Sequence, residues 1–520
     1  MDWPLSRAFK AGVIALGGTL ALASCNMQAP NSGKGGASQI VIGTSNIAET
    51  LDPLQASDAH NDFNLAPMYD RLVNYDANGK LVPQLATSWK FDADATHLTL
   101  RLRDGAAFHS GNPFTARDVA YTLDRAKKIG SGVAAFLTNY VSAEAVDPDH
   151  VRITLKEHDL TFVGALSRFY IVDSQLVGKH EGADNGQGWL ATHEAGSGPF
   201  AMAHYTANQE IRLKRSADYW AFDKGRPEAV VLRMQEDRSG SRDELLAGDI
   251  DLTVGLSGAD VEQVRKNGHF KFMRLPVPRE TYGWMNMKGG ITADPKVREA
   301  VQLAYDYKGH LTSALGGQGQ IADSLLPEGI ACRADAGKPK QDLGRAKALI
   351  REAGVEGKTV TIAYQPTVDE FNVAGTILQD SLKKIGLKAE LQAVTFPQYS
   401  ARVSKQSTMP DIALAWDFAS YPEAGPQLDR EYNSAFAGST NYTWYADRQV
   451  DRWLKEGNTA PTASKACAAF TKAQNKILAD HALLYIAYPA ITVLSDGRVR
   501  NIPFSPTQQD FNVGFLRMAR

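Results

Sequence analysis

Hydrophobic and polar positions along this chain switch repeatedly between a period of two and a helical period. Leu98, Leu100 and Leu102 are separated by Thr99 and Arg101, which predicts a strand with one buried face. Asp104-Gly105 and Gly111-Asn112-Pro113 predict two turns. Thr115 stands where a helix N-cap belongs, with Asp118 at capping-box spacing, and Val119, Ala120 and Leu123 supply an apolar helical face. Further strands are predicted at 39–44, 151–155, 229–234, 359–364, 387–394 and 484–493. Helices at 345–354 and 377–386 each end on a glycine. Strands that alternate with helices in this way predict an α/β protein.

The N-terminus follows neither period. Arg7 and Lys10 precede an apolar run over 11–23, shorter than the about 20 residues that span a bilayer core. Its proportions are those of a secretory leader. Leu22-Ala23-Ser24-Cys25 is similar to a lipobox, in which Cys25 receives a lipid before cleavage in front of it. An ordinary signal peptide with an incidental cysteine is the alternative. Residues 26–38, rich in Gly, Ser, Asn and Pro, read as a tether. The expectation is a signal peptide at 1–24, a lipidated tether at 25–38 and an exported body held beside a membrane. At 520 residues the chain exceeds a single core and argues for two or three domains. A net charge of −2, with no basic tract, gives no electrostatic case for nucleic acid. Cys332 and Cys467 are left either to pair with each other or to stay as two buried thiols.

One ordered set of residues carries a family resemblance: Pro83, Leu85, Ala86, Trp89, Phe108, His109, Gly111, Pro113, Phe114, Thr115, Ala116, Asp118 and Val119. It resembles the signature of the family 5 extracellular solute-binding proteins, the peptide-binding components of ABC importers. Ser110 replaces the family's usual aspartate, and His109 is expected to hold a turn rather than a ligand. Weaker matches follow in the family's order at Gly196-Ser197-Gly198-Pro199-Phe200, Asp218-Tyr219-Trp220, 244–251, 294–306 and 411–416. The resemblance implies a periplasmic-binding-protein-like fold (type II, cluster C), with two α/β lobes and an extra inserted N-terminal lobe. The implied partition is lobe I at 39–64, 191–288 and 491–520, the inserted lobe at 65–190, and lobe III at 289–490. It also implies a monomeric receptor without cofactor, metal or catalytic step. Such a receptor passes a small solute or short peptide to a permease and ATPase complex, and the family sometimes carries a disulfide in its C-terminal lobe.

Competing chemistries fail on context. Gly317-Gln318-Gly319-Gln320-Ile321-Ala322 has dinucleotide-loop spacing but follows a helical pattern instead of a strand. No zincin pair, G-x-S-x-G elbow or C-x-x-C pair occurs. A secreted hydrolase on a related scaffold and a ligand sensor feeding a signalling partner are the alternative readings. Ligand-binding candidates lie at strand ends and in aromatic clusters: Ser45, Asn46, Tyr282, Trp284, Trp416, Asp417, Ser420, Asn441 and Trp444. In peptide-binding branches of the family an aspartate three residues after the strand-end tryptophan receives the peptide ammonium. Ala419 occupies that place, or Ser420 with one residue inserted, so free-amine peptides are expected to bind weakly unless Asp417 supplies the charge.

Overall fold

The computed structural model describes residues 38–55, 59–235, 237–505 and 510–519. The expected leader, Cys25 and the tether as far as residue 37 lie outside the described residues. The chain enters through β1 (Gln39–Thr44) and a short hairpin, β2 (Val73–Tyr75) and β3 (Leu81–Pro83). Next come β4 (Ala86–Phe91), β5 (His97–Leu102), β6 (Tyr140–Asp147) and β7 (His150–Leu155). β8 (Phe200–Thr206), β9 (Glu210–Arg215), β10 (Ala229–Met234), β11 (Leu252–Val254), β12 (Lys271–Pro276) and β13 (Arg279–Met285) follow. The C-terminal part adds β14 (Gly319–Ile321), β15 (Thr359–Tyr364), β16 (Lys388–Ala393), β17 (Ile412–Phe418) and β18 (Leu483–Ser495).

A 12-stranded sheet runs in the order β16-β15-β17-β13-β18-β11-β1-β10-β9-β8, with β12 and β14 also paired to β18. Its two halves share β18. Residues Leu483–Ala487 pair with β13, whereas Ala490–Ser495 pair with β12. The chain thus crosses between halves twice, at Val277-Pro278 and near Pro489, and proline suits both places because neither must donate to a ladder. β13 falls inside the 191–288 segment expected for lobe I, yet it is bonded on both edges to β17 and β18.

The inserted layer is a four-stranded antiparallel sheet, β4-β5-β7-β6, with the helix Ala116–Ile129 packed on it. Leu98, Leu100 and Leu102 point into its core while Thr99 and Arg101 face solvent. Each buried leucine contributes about 1.5–3 kcal/mol, and a one-residue slip would expose all three, so the register is fixed. The helix begins as its sequence requires, with Asp118 Oδ2 accepting from the Thr115 backbone at 2.8 Å. The other oxygen of Asp118 accepts from Ser174 N at 3.0 Å, tying the helix start to a neighbouring segment.

The remaining family-like residues have structural tasks. His109 spans a turn, with Nδ1 2.8 Å from Glu194 Oε1 and Nε2 2.9 Å from the Gly198 carbonyl. Burial disfavours its charged form, but these two acceptors outweigh burial and raise the imidazole pKa. Ser110, in place of the aspartate, donates to Asp173 Oδ2 at 2.6 Å. Gly196 is glycine because the Met68 carbonyl passes where a Cβ would sit, 2.0 Å away. Cys332 and Cys467 form a disulfide with Cα atoms 4.6 Å apart. It closes a loop of 135 residues, a constraint contributing roughly 2–5 kcal/mol.

Candidate ligand-binding cleft

The strands of each half that matter for the site are parallel: β1 with β10 and β11, and β15 with β17. Open α/β sheets bind ligands outside the carboxyl ends of such strands, where loops and helix starts converge. A cleft of about 550 Å³ lies there. One wall is made by Thr44 and Ser45 after β1, Gln235 after β10, and Thr253 to Ser257 around the end of β11. The other wall carries Arg279, Thr367 to Glu370 and Trp416, and the crossovers supply Val277 and Pro489 to Thr492.

The sequence makes this wall polar in a specific way. Trp416 is held on its edge by Glu370, whose Oε2 accepts the indole N–H at 2.8 Å. The Arg279 guanidinium lies 4.4 Å from the Trp416 ring, a cation–π contact. Glu370 Oε1 accepts from Thr281 Oγ1 at 2.5 Å and lies 3.1 Å from His310 Nε2. His310 is itself buried and paired through Nδ1 with the Tyr305 hydroxyl at 2.9 Å. Burial alone would raise the Glu370 pKa, but His310, Thr281 and Arg279 more than offset it, and the carboxyl lies below its ordinary value.

Three helices begin at the cleft: Arg238–Ala247, Gly258–Lys266 and Asp369–Lys384. Their N-termini carry partial positive charge. Asp237 and Ser257 cap the first two, accepting from Gly240 N at 2.6 Å and Asp260 N at 3.1 Å. The cleft therefore offers both carboxylates and positive ends. Such a surface suits a solute that carries both signs of charge.

Away from the residues that line the cleft, the four-stranded layer and its hairpin touch the C-terminal part. Tyr75 donates to Glu423 Oε1 at 3.0 Å, and Phe136 packs edge-on against Tyr421. His158 Nε2 lies 3.2 Å from the Ala460 carbonyl.

Among the sequence candidates, Ser45 and Trp416 line the cleft together, and Asn46 lies just behind Ser45. The others are placed elsewhere. Tyr282 is fully buried and its hydroxyl donates to the Leu325 carbonyl at 3.4 Å. Trp284 packs against Tyr442. β13 is a central strand with helices over both faces, so its aromatic residues meet core rather than solute. Asn441 is buried and pins a turn, donating to the Asn433 and Tyr445 carbonyls. Trp444 donates to the Val403 carbonyl at 3.2 Å and rests on Gly438. Asp417 lies on the face of β17 opposite Trp416, where Oδ1 accepts from Arg430 Nη2 at 2.6 Å, and Ser420 is half-buried in the following loop. Arg279 and Glu370 were not singled out from sequence. Glu370 reads there as an acid at a helix start, and the crossover that places Arg279 in the cleft exists only in three dimensions.

The model of family 5 of the bacterial extracellular solute-binding proteins (its middle region) matches residues 80–439. The chain belongs to this family. Family 5 relatives include a probable D,D-dipeptide-binding periplasmic protein of Escherichia coli (strain K12), 26% identical over 488 residues, with 92% of this chain and 94% of the relative covered. A glutathione-binding protein of Escherichia coli is 26% identical over 481 residues, covering 90% of this chain and 91% of its own. The solved structure of an ABC transporter substrate-binding protein from Listeria monocytogenes superposes with a TM-score of 0.84 at 23% identity, over 92% of this chain and 99% of that one. Its likeness establishes the family 5 fold here, an α/β solute-binding architecture. Among the described residues no helix is long and apolar enough to cross a membrane.

Proposed function

We propose that this family 5 protein is the capturing receptor of an ABC importer for a small zwitterionic, peptide-like solute. The observation that carries the reading is the cleft itself, where Arg279, Glu370 and three helix starts present both signs of charge around Trp416. The dipeptide- and glutathione-binding relatives, named for solutes of that kind, support it. The two lobes divide at the crossovers, Val277-Pro278 and Pro489-Ala490, and these act as the hinge. Solute favours the closed form to the extent that it contacts both walls at once. The Tyr75–Glu423 and Phe136–Tyr421 contacts then belong to the closed form and part on opening. Delivery to a permease and ATPase pair completes the cycle, and the protein performs no chemistry on its solute.

The reading includes a lipid anchor at Cys25 in a monomeric, exported protein. Replacing Cys25 with serine is expected to release the body from membranes in cell fractionation; unchanged membrane partitioning would contradict the anchor. The receptor reading is tested by mass spectrometry of solute released on denaturing freshly purified protein. An intact polar compound bearing amine and carboxylate groups is expected. A hydrolysed fragment accumulating from added peptide would instead favour the hydrolase.

A further inference from the structure

The contact that the β2–β3 hairpin and the four-stranded layer make with the C-terminal part is closely fitted, although it lines no part of the cleft. Tyr75 and Tyr421 are only 5% and 7% exposed, so water is excluded between them. With Ala165, Leu81 and Phe136 they form a small apolar cluster of their own. The turn of the hairpin seats on the same part of the molecule. A Cβ at Gly79 would sit 2.0 Å from the Gly329 carbonyl oxygen, with Pro422 Cβ 3.5 Å away, so the hairpin tip makes this approach only as glycine. Burial of apolar surface at such a joint is favourable whether or not the cleft is filled.

At the centre of the joint is a carboxyl without a cation to match it. Tyr75 from β2 and Asp159 from the loop ahead of Phe162–Ala165 act on Glu423, and Tyr421 lies beside it on its own loop. None of these is a positive group. The Tyr75 hydroxyl donates to Glu423 Oε1, and burial raises the hydroxyl well above its ordinary pKa, so it stays a donor. A protonated carboxyl and a carboxylate can both accept that bond. Only the carboxylate carries the cost of a buried negative charge facing Asp159. Burial raises the Glu423 carboxyl above its ordinary value; the Tyr75 bond offsets part of this, and Asp159 adds to it.

We propose that this joint is a solute-independent latch, which draws the two lobes together when Glu423 takes up a proton. The proposal rests on the hinge reading above, in which the joint parts on opening. Once it parts, Glu423 loses Tyr75, regains water and returns to the ordinary carboxylate range. The closed form therefore binds the proton more tightly than the open form. The proton's contribution to closure is fully present below the ordinary carboxylate value and is lost as pH rises through the raised one. In acid, a solute meets a protein already biased toward its closed form and binds it more tightly.

Small-angle scattering of purified protein, freed of solute by unfolding, dialysis and refolding, tests the latch. The wild-type radius of gyration is expected to fall as pH is lowered from about 8 to about 5. Glu423→Gln keeps an acceptor for Tyr75 and removes the charge. It is expected to lose the transition and stay compact throughout. Gly79→Ala is expected to lose it in the other sense, staying expanded because the hairpin tip no longer seats. Thermal melts confirm folding, and should Gly79→Ala not fold, Phe136→Ala takes its place. A wild-type radius that does not change with pH, an unaltered transition in Glu423→Gln, or full compaction of the opening variant in acid would each overturn the latch. None of these outcomes bears on the receptor reading, which the intact solute decides.

Discussion

Two buried acidic centres in this molecule are built in opposite ways. Asp70, between the inserted layer and the first half of the main sheet, is fully buried and takes two donors on each oxygen. Tyr219 and Gln84 donate to Oδ1 at 3.0 and 2.6 Å, and Trp220 and Ser197 donate to Oδ2 at 3.0 and 3.2 Å. Glu280, equally buried on β13, has no donor at either oxygen and two further carboxyls beside it. A centre filled from within holds the fold together. A centre short of donors instead carries an electrostatic cost, relieved when its carboxyls hold protons. The difference lies in the donor count, since burial is the same.

The largest effect that would break this contrast is the loss of Asp70. Asp70→Ala strands four donors, three of them buried, and is expected to cost roughly 3–5 kcal/mol in denaturant unfolding. A cost below about 1 kcal/mol would mean that the network is not structural.

The pH response of Asp70 comes next. Burial, only partly offset by its donors, pushes its carboxyl from 3.8 up to about 6. The folded state therefore binds the proton more tightly than the unfolded chain. This contribution is fully present below about pH 4 and is lost as pH rises through about 6. Between those limits wild type should lose about 2–3 kcal/mol relative to Asp70→Asn. Parallel stability curves for the two proteins would contradict it.

The smallest expected effect has the same direction. Glu280 also has a raised carboxyl in the folded state, faced by Glu431 and Arg430 from one helix, Asp417 from β17, Arg333 from a loop and Tyr488 from β18. Its stability contribution is present at low pH and erodes as pH rises above the ordinary carboxylate range. Glu280→Gln should match wild type near pH 4 and not fall below it as pH rises to 8. Destabilisation at pH 8 would show that the carboxylate is satisfied internally after all.

The fold was legible where one element decides its own structure. The leucine alternation of β5 and the Thr115–Asp118 helix start are local, and the structure has both. The cleft was half legible, because Ser45 and Trp416 sit at strand ends that sequence patterns can locate. Tyr282 and Trp284 were placed differently, since the aromatic run of β13 reads the same whether the strand is central or at a cleft edge. The buried acidic cluster was not legible. Glu280 is one acid in an apolar strand, and its meaning depends on a register that sets it opposite Asp417 and under Glu431.

The most direct test of the account is small-angle scattering during titration with dialanine, trialanine, D-alanyl-D-alanine and glutathione, each beside its N-acetylated form. At least one free-amine compound should reduce the radius of gyration saturably. Its acetylated form, and the same compound with Glu370→Gln, should require roughly 30-fold more ligand or beyond, the cost of losing a charge-assisted contact in a closed cleft. Compaction driven equally by acetylated compounds, or unchanged in Glu370→Gln, would contradict the account.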